Sequence, residues 1–262
     1  MSNASDNTID IRRLIDEAPV HHVHYLPETD STNEVALHRA GEVAADQSEL
    51  VLTSRQLRGK GRGENRWHAG EGALTFSLIT PRLSLPREQT PRISLTAGLA
   101  MCHAVEQFVG GGHPQLKWPN DVFLNGRKAA GILIESPGDS VDRFVIGIGL
   151  NVNNPLTDAP AEVRDLATSL SEAAGQSLPL TDVLIACLQQ LDACLKLLLA
   201  GSEELARGWR SASLLDGRKV RLALPTEAIE GVCRGIGDDG ALLIETPSGE
   251  RACYGGVVER FE

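Results

Sequence analysis

Two long segments of the chain place apolar residues at helical spacing. From Ile93 to Phe108 they recur three or four positions apart, and the glycine run at 110–112 ends the predicted helix. Leucines from Leu184 to Leu198 repeat on one face and predict a second helix, which Thr181 or Asp182 would cap. Both patterns are typical of helices that pack against a protein core.

Two other segments have the pattern of β-strands. Residues 117–135 predict a hairpin, because Asn125-Gly126 lies between two apolar runs and favours a type I′ turn. Residues 143–152 predict a third strand, on which Gly147 and Gly149 share one face. Glycines on one face of a strand would let a ligand or another backbone approach.

The last fifty residues consist of short apolar runs separated by turns rich in glycine and aspartate, which predicts a small β-barrel. The runs are 219–224, 228–236, 241–246 and 251–261. Gly235 to Gly240 matches the G-x-G-x-x-G pattern of dinucleotide-binding loops. A strand rather than a helix follows it, so the match indicates a hairpin turn.

The beginning of the chain predicts little chemistry. Residues 1–20 indicate a leader with one short amphipathic piece, Ile9 to Ile15. The histidines that follow, His21, His22 and His24, lack the spacing of a helical metal site and are interpreted as the entrance to a strand.

Two segments combine a structural and a ligand-binding interpretation. Ser31, followed three residues later by Glu34, is typical of a capping box that starts a helix. The same helix N-terminus would suit a polar ligand group, so capping and ligand contact compete as explanations of Ser31, with capping favoured. Residues 153–167 have no period, and we interpret them as a long loop that serves as a lid.

The densest chemical signal is the segment from Ser54 to Trp67, called the basic loop below. It contains Arg55, Arg58, Lys60, Arg62 and Arg66, with glycines at 59, 61 and 63. That glycine density excludes a stable helix or central strand, and free backbone N–H groups beside cations suit a nucleotide phosphate or a carboxylate. A flexible surface loop is the alternative. The P-loop pattern is not met, because Gly61 follows Lys60.

Composition narrows the classes of protein. A chain of 262 residues with 42% apolar residues predicts one main domain and a small appendage. Without a long apolar run or a signal peptide, we expect a cytoplasmic protein. Five cysteines without a C-x-x-C pair indicate buried thiols. The net charge of −10 argues against general nucleic-acid binding, so the basic loop should be a local site.

Five motifs, in this order, resemble those of biotin protein ligases. They are S-T-N at 31–33, Q-x-x-G-K-G-R-x-x-x-R-W at 56–67, K-W-P-N-D at 117–121, G-R-K-A-A-G-I-L-I-E at 126–135 and G-I-G-L-N-V-N at 147–153. The resemblance covers essentially the whole chain and implies an α+β fold. That fold is a class II aminoacyl-tRNA synthetase-like mixed sheet with helices, followed by a small C-terminal SH3-like β-barrel. The implied segments are a leader (1–20), a catalytic biotin- and ATP-binding domain (21–213) and the SH3-like domain (214–262).

The resemblance also implies an activity. ATP and biotin, with Mg²⁺, would form biotinyl-adenylate and pyrophosphate, and biotin would then pass to a lysine of a biotin carboxyl carrier domain. A homodimer is left open. No DNA partner is expected, because the N-terminal DNA-binding domain of the repressor members is missing, and no membrane partner is expected, because the chain has no long apolar run. The usual G-R-G-R reads G-K-G-R here, so Lys60 offers a point charge rather than a planar fork.

The chemistry of such a reaction joins two anions, a carboxylate and the α-phosphate, and needs cations that hold both in line. We predict that Lys128 bridges the two groups, with Lys60 and Arg62 on the phosphate side. Asp121 would orient the attacking lysine or a Mg²⁺ ion, with an Asx turn as the structural alternative. The resemblance implies two ligand sets. For biotin they are Ser31, Thr32, Asn33, Gln56, Lys60, Gly61, Arg62, Lys128 and Gly131; for ATP, Lys60, Arg62, Arg66, Trp67, Asn120, Asp121, Lys128 and Asn151.

Two other functions compete with this interpretation. A lipoate–protein ligase would share the fold and the two-step reaction, but the intact K-W-P-N-D and G-x-G-R motifs favour biotin. A nucleic-acid or protein interaction module, using the basic loop and the small barrel, is disfavoured by the net charge and by the other four motifs.

Overall fold

The computed structural model describes residues 6–83, 85, 89–138 and 142–262. The helices in this part of the chain are α1 (Ile11–Glu17), α2 (Thr32–Arg39), α3 (Thr90–Glu106), α4 (Ala161–Arg164), α5 (Leu170–Ala174), α6 (Leu180–Leu199) and α7 (Glu203–Ala212). Within the described residues, no helix is long and apolar enough to cross a membrane.

A seven-stranded mixed sheet forms the centre of the molecule. With strands numbered along the chain, its spatial order is β1 (His22–Thr29), β2 (Glu49–Gln56), β5 (Leu74–Ile79), β9 (Val145–Leu150), β8 (Arg127–Glu135), β7 (Asp121–Leu124) and β6 (Pro114–Lys117). Strands β1 and β2 pair in parallel, and the other neighbours pair antiparallel.

The two faces of this sheet carry different side chains. Phe76 of β5 belongs to the main core, in which α3 packs against α6. The adjacent positions Thr75 and Ser77 point to the opposite face, where the strand register places them beside Gly149 and Gly147 of β9. Because the residues on this second face are small, space remains above the centre of the sheet.

Helix α2 is held over the same second face. Ala36 and Ala40 form a small apolar cluster with Val51 of β2. The buried guanidinium of Arg143 donates hydrogen bonds to the carbonyls of Ala40 (2.7 Å) and Ala44 (2.6 Å), just beyond the end of the helix. These contacts fix the position of α2, and with it the residues at its N-terminus.

The C-terminal strands form a second sheet of five antiparallel strands. Its spatial order is β13 (Gly249–Cys253), β12 (Leu242–Thr246), β11 (Ala228–Ile236), β10 (Lys219–Ala223) and β14 (Val257–Phe261). The sheet contacts the turn between β6 and β7, where the buried indole of Trp118 donates a hydrogen bond to the carbonyl of Gly240 (3.1 Å). The predicted fold class, an α+β mixed sheet with helices and a small C-terminal β domain, is confirmed.

Several local predictions are also confirmed. Helices α3 and α6 occupy the two segments with helical spacing. Asn125 (φ 51°) and Gly126 (φ 79°) both adopt positive φ between β7 and β8, as a type I′ turn requires. The segment from Gly235 to Gly240 covers the end of β11 and the turn that leads to β12, and the leader contains α1, which Asp10 caps.

Other local predictions are wrong, each for a physical reason. Residues 251–261 form two strands rather than one, because Gly255 and Gly256 separate β13 from β14. Helix α6 begins after Pro179, and the hydroxyl of Thr181 accepts a hydrogen bond from the N–H of Asp10 instead of capping its own helix. Tertiary contacts therefore override local capping preference at this helix.

Three further differences concern the surroundings of the cavity described below. Residues 153–167 are not wholly irregular, since they contain a 3₁₀ turn (Leu156–Asp158) and α4. The short strand β6 was not predicted. In the basic loop, Ser54 to Gln56 complete β2, and two-residue strands β3 (Gly59–Lys60) and β4 (Arg66–Trp67) form a hairpin outside the main sheet.

Candidate functional site

A cavity of about 420 Å³ opens above the second face of the main sheet. This volume is typical of small-molecule sites. All the residues that the sequence predicts for biotin or ATP line it: Ser31, Thr32, Asn33, Gln56, Lys60, Gly61, Arg62, Arg66, Trp67, Asn120, Asp121, Lys128, Gly131 and Asn151. These residues therefore surround one space, while their individual roles in binding stay predictions.

Glycines of β8 and β9 form the floor of the cavity, and protein side chains fill the space above them. A Cβ atom on Gly149 would overlap the indole of Trp67, and one on Gly147 would overlap the side-chain amide of Asn33. The approach predicted for these glycines therefore occurs, with side chains as the approaching groups. Within the described residues, the buried indole N–H of Trp67 has no hydrogen-bond partner.

Gly149→Ala should therefore displace Trp67. Because the added methyl group would overlap the indole, overpacking should cost about 1–3 kcal/mol unless the ring moves away. We expect a red shift of the tryptophan fluorescence and a lower melting temperature. Gly110→Ala is the matched control, since a Cβ there meets no atom within 4 Å. A spectrum and melting temperature equal to those of the wild type would contradict this packing.

A network of buried polar groups lies at the N-terminus of α2. The side-chain carbonyl of Gln56 accepts hydrogen bonds from the backbone N–H (2.9 Å) and hydroxyl (3.3 Å) of Thr32. The hydroxyl of Ser77 lies 2.5 Å from the side-chain oxygen of Asn33, whose amide donates to Glu135 (2.8 Å). These contacts fix the two polar groups of Thr32 and Asn33 before any ligand binds.

The favoured explanation of Ser31 as a capping residue is wrong. Ser31 occupies the N-cap position of α2, but its side chain makes no capping hydrogen bond. The N–H of the next residue is bound by Gln56 from β2 instead. Ser31 is buried and lines the cavity, which leaves the ligand interpretation in place.

Lys128 and Asp121 form an ion pair at the centre of the cavity wall. The Nζ atom of Lys128 lies 2.6 Å from Oδ1 of Asp121, and the two side chains are 34% and 20% exposed. The turn at Asn125-Gly126 brings the two strands together and sets their register. The Lys128 ammonium also lies 5.9 Å from the ring centroid of Trp67. A cation and a carboxylate are thus positioned side by side.

Contacts with the protein itself order the basic loop. Arg58 forms an ion pair with Asp30, and Lys60 forms one with Glu34 at 2.5 Å, which raises the pKa of Lys60. Arg62 donates a hydrogen bond to the carbonyl of Gly256 (2.8 Å), in the loop between β13 and β14. The loop is thus connected to the rest of the protein by several contacts, while the ligand-binding interpretation and the alternative of a flexible surface loop both stay predictions.

Two of the predicted nucleotide ligands also hold the structure together. The amide of Asn120 donates to the carbonyl of Ile132 (2.7 Å) and so ties the turn before β7 to β8. Asn151 is buried, donates to the carbonyl of Thr168 (3.1 Å) and accepts from the amide of Asn154 (3.0 Å). Substitutions at either position would affect the geometry of the cavity as well as ligand contacts.

Other residues of the cavity were not assigned from the sequence. They include His68, Lys117, Glu162, Val163, Leu166, Gly256, Val257 and Val258. Lys117 belongs to a motif that the sequence analysis quoted, so its position was a usable signal. Gly256, Val257 and Val258 gave no such signal, because they belong to the C-terminal strands and lie far in sequence from the other residues of the cavity.

The fold and the cavity define a class of protein. A sheet with a glycine floor, a buried polar network, and a paired lysine beside further cations suits the joining of a carboxylate to a nucleotide. The sequence model of the "Biotin/lipoate A/B protein ligase family" matches residues 25–153, and that of the "Biotin protein ligase C terminal domain" matches residues 217–260.

Individual relatives specify the family further. A "Bifunctional ligase/repressor BirA" of Bacillus subtilis is 33% identical, over 91% of this chain and 74% of the relative. A "Biotin--[acetyl-CoA-carboxylase] ligase" of Paracoccus denitrificans is 32% identical, over 86% of this chain and 95% of the relative. The structure of a biotin protein ligase from Aquifex aeolicus, in complex with biotin and ATP, has a TM-score of 0.77 and 30% identity, covering 92% and 98% of the two chains. The chain belongs to the biotin protein ligase family.

Proposed function

We propose that the cavity activates biotin with ATP and transfers it to a lysine of a carboxylase biotin carrier domain. The protein is an ATP-dependent biotin ligase, and the lipoate alternative is disfavoured by its relatives. We assign the chemistry to residues 21–213, with one wall of the cavity supplied by residues 214–262.

One observation carries the assignment of roles. All five motif segments, which are distant in sequence, line one cavity, and Lys128 lies there beside Asp121 and Trp67. In the first step, a carboxylate oxygen of biotin attacks the α-phosphorus of ATP, and the bond to pyrophosphate breaks. Lys128 would neutralise both reacting anions, with Lys60 and Arg62 on the phosphate side.

The polar network would hold the ring of biotin. The hydroxyl of Thr32 and the side chains of Asn33 and Gln56 present donors and acceptors on one side of the cavity. Since Thr32 and Asn33 are buried, Gln56 is half-buried and all three are already oriented, binding would cost little reordering. Ser31, Gly61 and Gly131 complete this part of the proposed site.

The nucleotide would lie nearer the basic loop. Arg66 and Trp67 belong to that loop, and Asn120, Asp121 and Asn151 line the same cavity. Mg²⁺ would be held by the phosphates of ATP, and Asp121 is the carboxylate in this wall that could reach it. Among the described residues, no group of three or more His, Cys, Asp or Glu side chains forms a metal site.

In the second step, the amine of the carrier lysine attacks the carbonyl of biotinyl-adenylate, and AMP leaves. Asp121 would orient the amine and help to remove its proton. No covalent enzyme intermediate is needed, because the mixed anhydride is already an activated acyl group. No step requires a second copy of the chain, so a homodimer stays a prediction that sedimentation would test. We expect the protein to act in the cytoplasm, where ATP is available.

Incubation with ATP, Mg²⁺ and either biotin or lipoate tests this function directly. We expect pyrophosphate release with biotin and little with lipoate, because a dithiolane ring offers no hydrogen-bonding groups to the amide and hydroxyl groups on this side of the cavity. A carrier domain added to the biotin reaction should be labelled on one lysine. Release with lipoate alone would overturn the assignment.

The segment 155–167 should become protected when both substrates bind. Leu156, Val163 and Leu166 line the cavity, and Leu166 is 68% exposed. A reactive anhydride has to be kept from water, and burial of these side chains over the ligands would do so. Limited proteolysis should show less cleavage here with biotin and ATP than with either alone. Equal cleavage in all samples would indicate a passive connection.

A further inference from the structure

Lys117 is a cation of the cavity that has no part in the mechanism proposed so far. It ends β6 and pairs in register with Asp121 of β7. Since paired residues and alternate residues of a strand point to the same face, Lys117 shares a face with Asp121 and Phe123. Lys128 is paired with Phe123 on the other side of β7. All four residues therefore belong to the same part of the sheet surface.

The two lysines of this group have one carboxylate between them. Asp121 forms its ion pair with Lys128, and no carboxylate among the described residues lies within ion-pair distance of Lys117. The ammonium of Lys117 lies 5.4 Å from the ring centroid of Phe123 and 5.2 Å from that of Phe261. Burial lowers the pKa of Lys117, and the charge of Asp121 offsets only part of this effect.

Aromatic rings hold the cation without using its donors. A ring face attracts an ammonium group electrostatically but accepts no full hydrogen bond in place of an anion. The three N–H donors of Lys117 are thus available to a ligand. The group as a whole carries one excess positive charge, which favours an anion at this position.

The order of the strands indicates which anion this is. Asn33 of the polar network lies against Ser77 of β5 and Gly147 of β9, Lys128 lies on β8, and Lys117 lies beyond it on β6. When an oxygen displaces a group from phosphorus, the attacking and leaving oxygens lie roughly in line. With the carboxylate arriving from the side of β5, the leaving pyrophosphate would be directed towards β6.

We propose that Lys117, held between Phe123 and Phe261, binds the β- and γ-phosphates of ATP and the pyrophosphate that they become. This rests on the proposed function and extends it by one residue and one subsite. Because Phe261 belongs to β14, the C-terminal sheet takes part in the first step by fixing the position of this ammonium group.

Lys117→Met tests the proposal, because methionine keeps an apolar stem between the two rings and removes the charge. Binding of ATP, of inorganic pyrophosphate and of AMP is measured by calorimetry in the presence of Mg²⁺. We expect the Kd of ATP and of pyrophosphate to rise about tenfold, as for the loss of one charge-assisted hydrogen bond, with the Kd of AMP and of biotin unchanged. Lys117→Arg should recover part of the affinity for ATP.

Arg218→Met is the matched control. The Arg218 guanidinium lies 5.4 Å from the centroid of the same Phe261 ring, but Arg218 does not line the cavity. Its loss should leave the binding of all three ligands unchanged. The proposal is overturned if Lys117→Met binds ATP and pyrophosphate as tightly as the wild type does. It is also overturned if the affinity for AMP falls by the same factor as the affinity for ATP. A wild-type protein that binds ATP but exchanges no pyrophosphate with biotin would instead refute the proposed function.

Discussion

Lys128→Ala should abolish the formation of biotinyl-adenylate while the protein remains folded. The substitution removes the ammonium that would neutralise both reacting anions, and it leaves the carboxylate of Asp121 without its ion pair beside them. Deletion of one preorganised electrostatic group lowers a rate by about 10²–10³, and the unpaired carboxylate should add to this loss. The measurement is biotin-dependent exchange between ATP and pyrophosphate, together with a melting curve.

Two further variants show how much of the lost rate comes from the missing ammonium and how much from the unpaired carboxylate. Lys196→Ala is the matched control. Lys196 pairs with Asp192 on the surface of α6 and does not line the cavity, so its loss should change neither the exchange rate nor the melting temperature. Asp121→Asn combined with Lys128→Ala removes the unpaired charge and should recover part of the lost rate. Near-normal exchange by Lys128→Ala would show that another cation bridges the two anions.

Arg62→Gly should release the intermediate before the carrier domain arrives. Arg62 can contact phosphate through two N–H groups, and in this structure it binds the carbonyl of Gly256. Loss of a charge-assisted hydrogen bond of about 1.5–3 kcal/mol should speed dissociation of biotinyl-adenylate roughly ten- to a hundredfold. Adenylation should weaken but persist through Lys60 and Lys128. A bystander protein mixed with the variant, ATP and biotin should then be labelled on its lysines, as seen on a streptavidin blot.

Arg58→Gly provides the control within the same loop. Arg58 is paired with Asp30 and does not line the cavity, so the variant should lose a loop contact without losing a phosphate contact. We expect it to label bystanders no more than the wild type. If Arg62→Gly continues to release pyrophosphate but labels no bystander, retention would belong to the segment 155–167 instead.

Much of the site was predictable where short-range rules set the geometry. The Asn125-Gly126 turn pairs Lys128 with Phe123, and alternation along β7 places Asp121 on the same face as Phe123, where Lys128 reaches it. Alternation along a strand places Gly147 and Gly149 on one face, so a close approach there followed from sequence spacing. The remaining site residues were assigned because the five motifs, in their order, resemble those of a known family.

Contacts between distant segments could not be predicted in this way. Arg62 and Gly256 are separated by 194 positions, and no local pattern links them. At Ser31 the capping prediction was wrong because its side chain makes no hydrogen bond to the helix and lies in the wall of the cavity, where Gln56, from a strand distant in sequence, binds the N–H of Thr32. Helix α4 has only four residues, which is too short to show a period.

The contact between Trp118 and Gly240 links the stability of the two sheets. The indole of Trp118 is 2% exposed and lies in the same turn that presents Asn120 and Asp121 to the cavity. Separation of the C-terminal sheet would expose this ring to water, break its hydrogen bond and remove Phe261 from Lys117. Opening of the small sheet and loss of the nucleotide subsite are then one cooperative event. ATP would oppose this event by mass action, so a substrate bound at one sheet protects the other from unfolding.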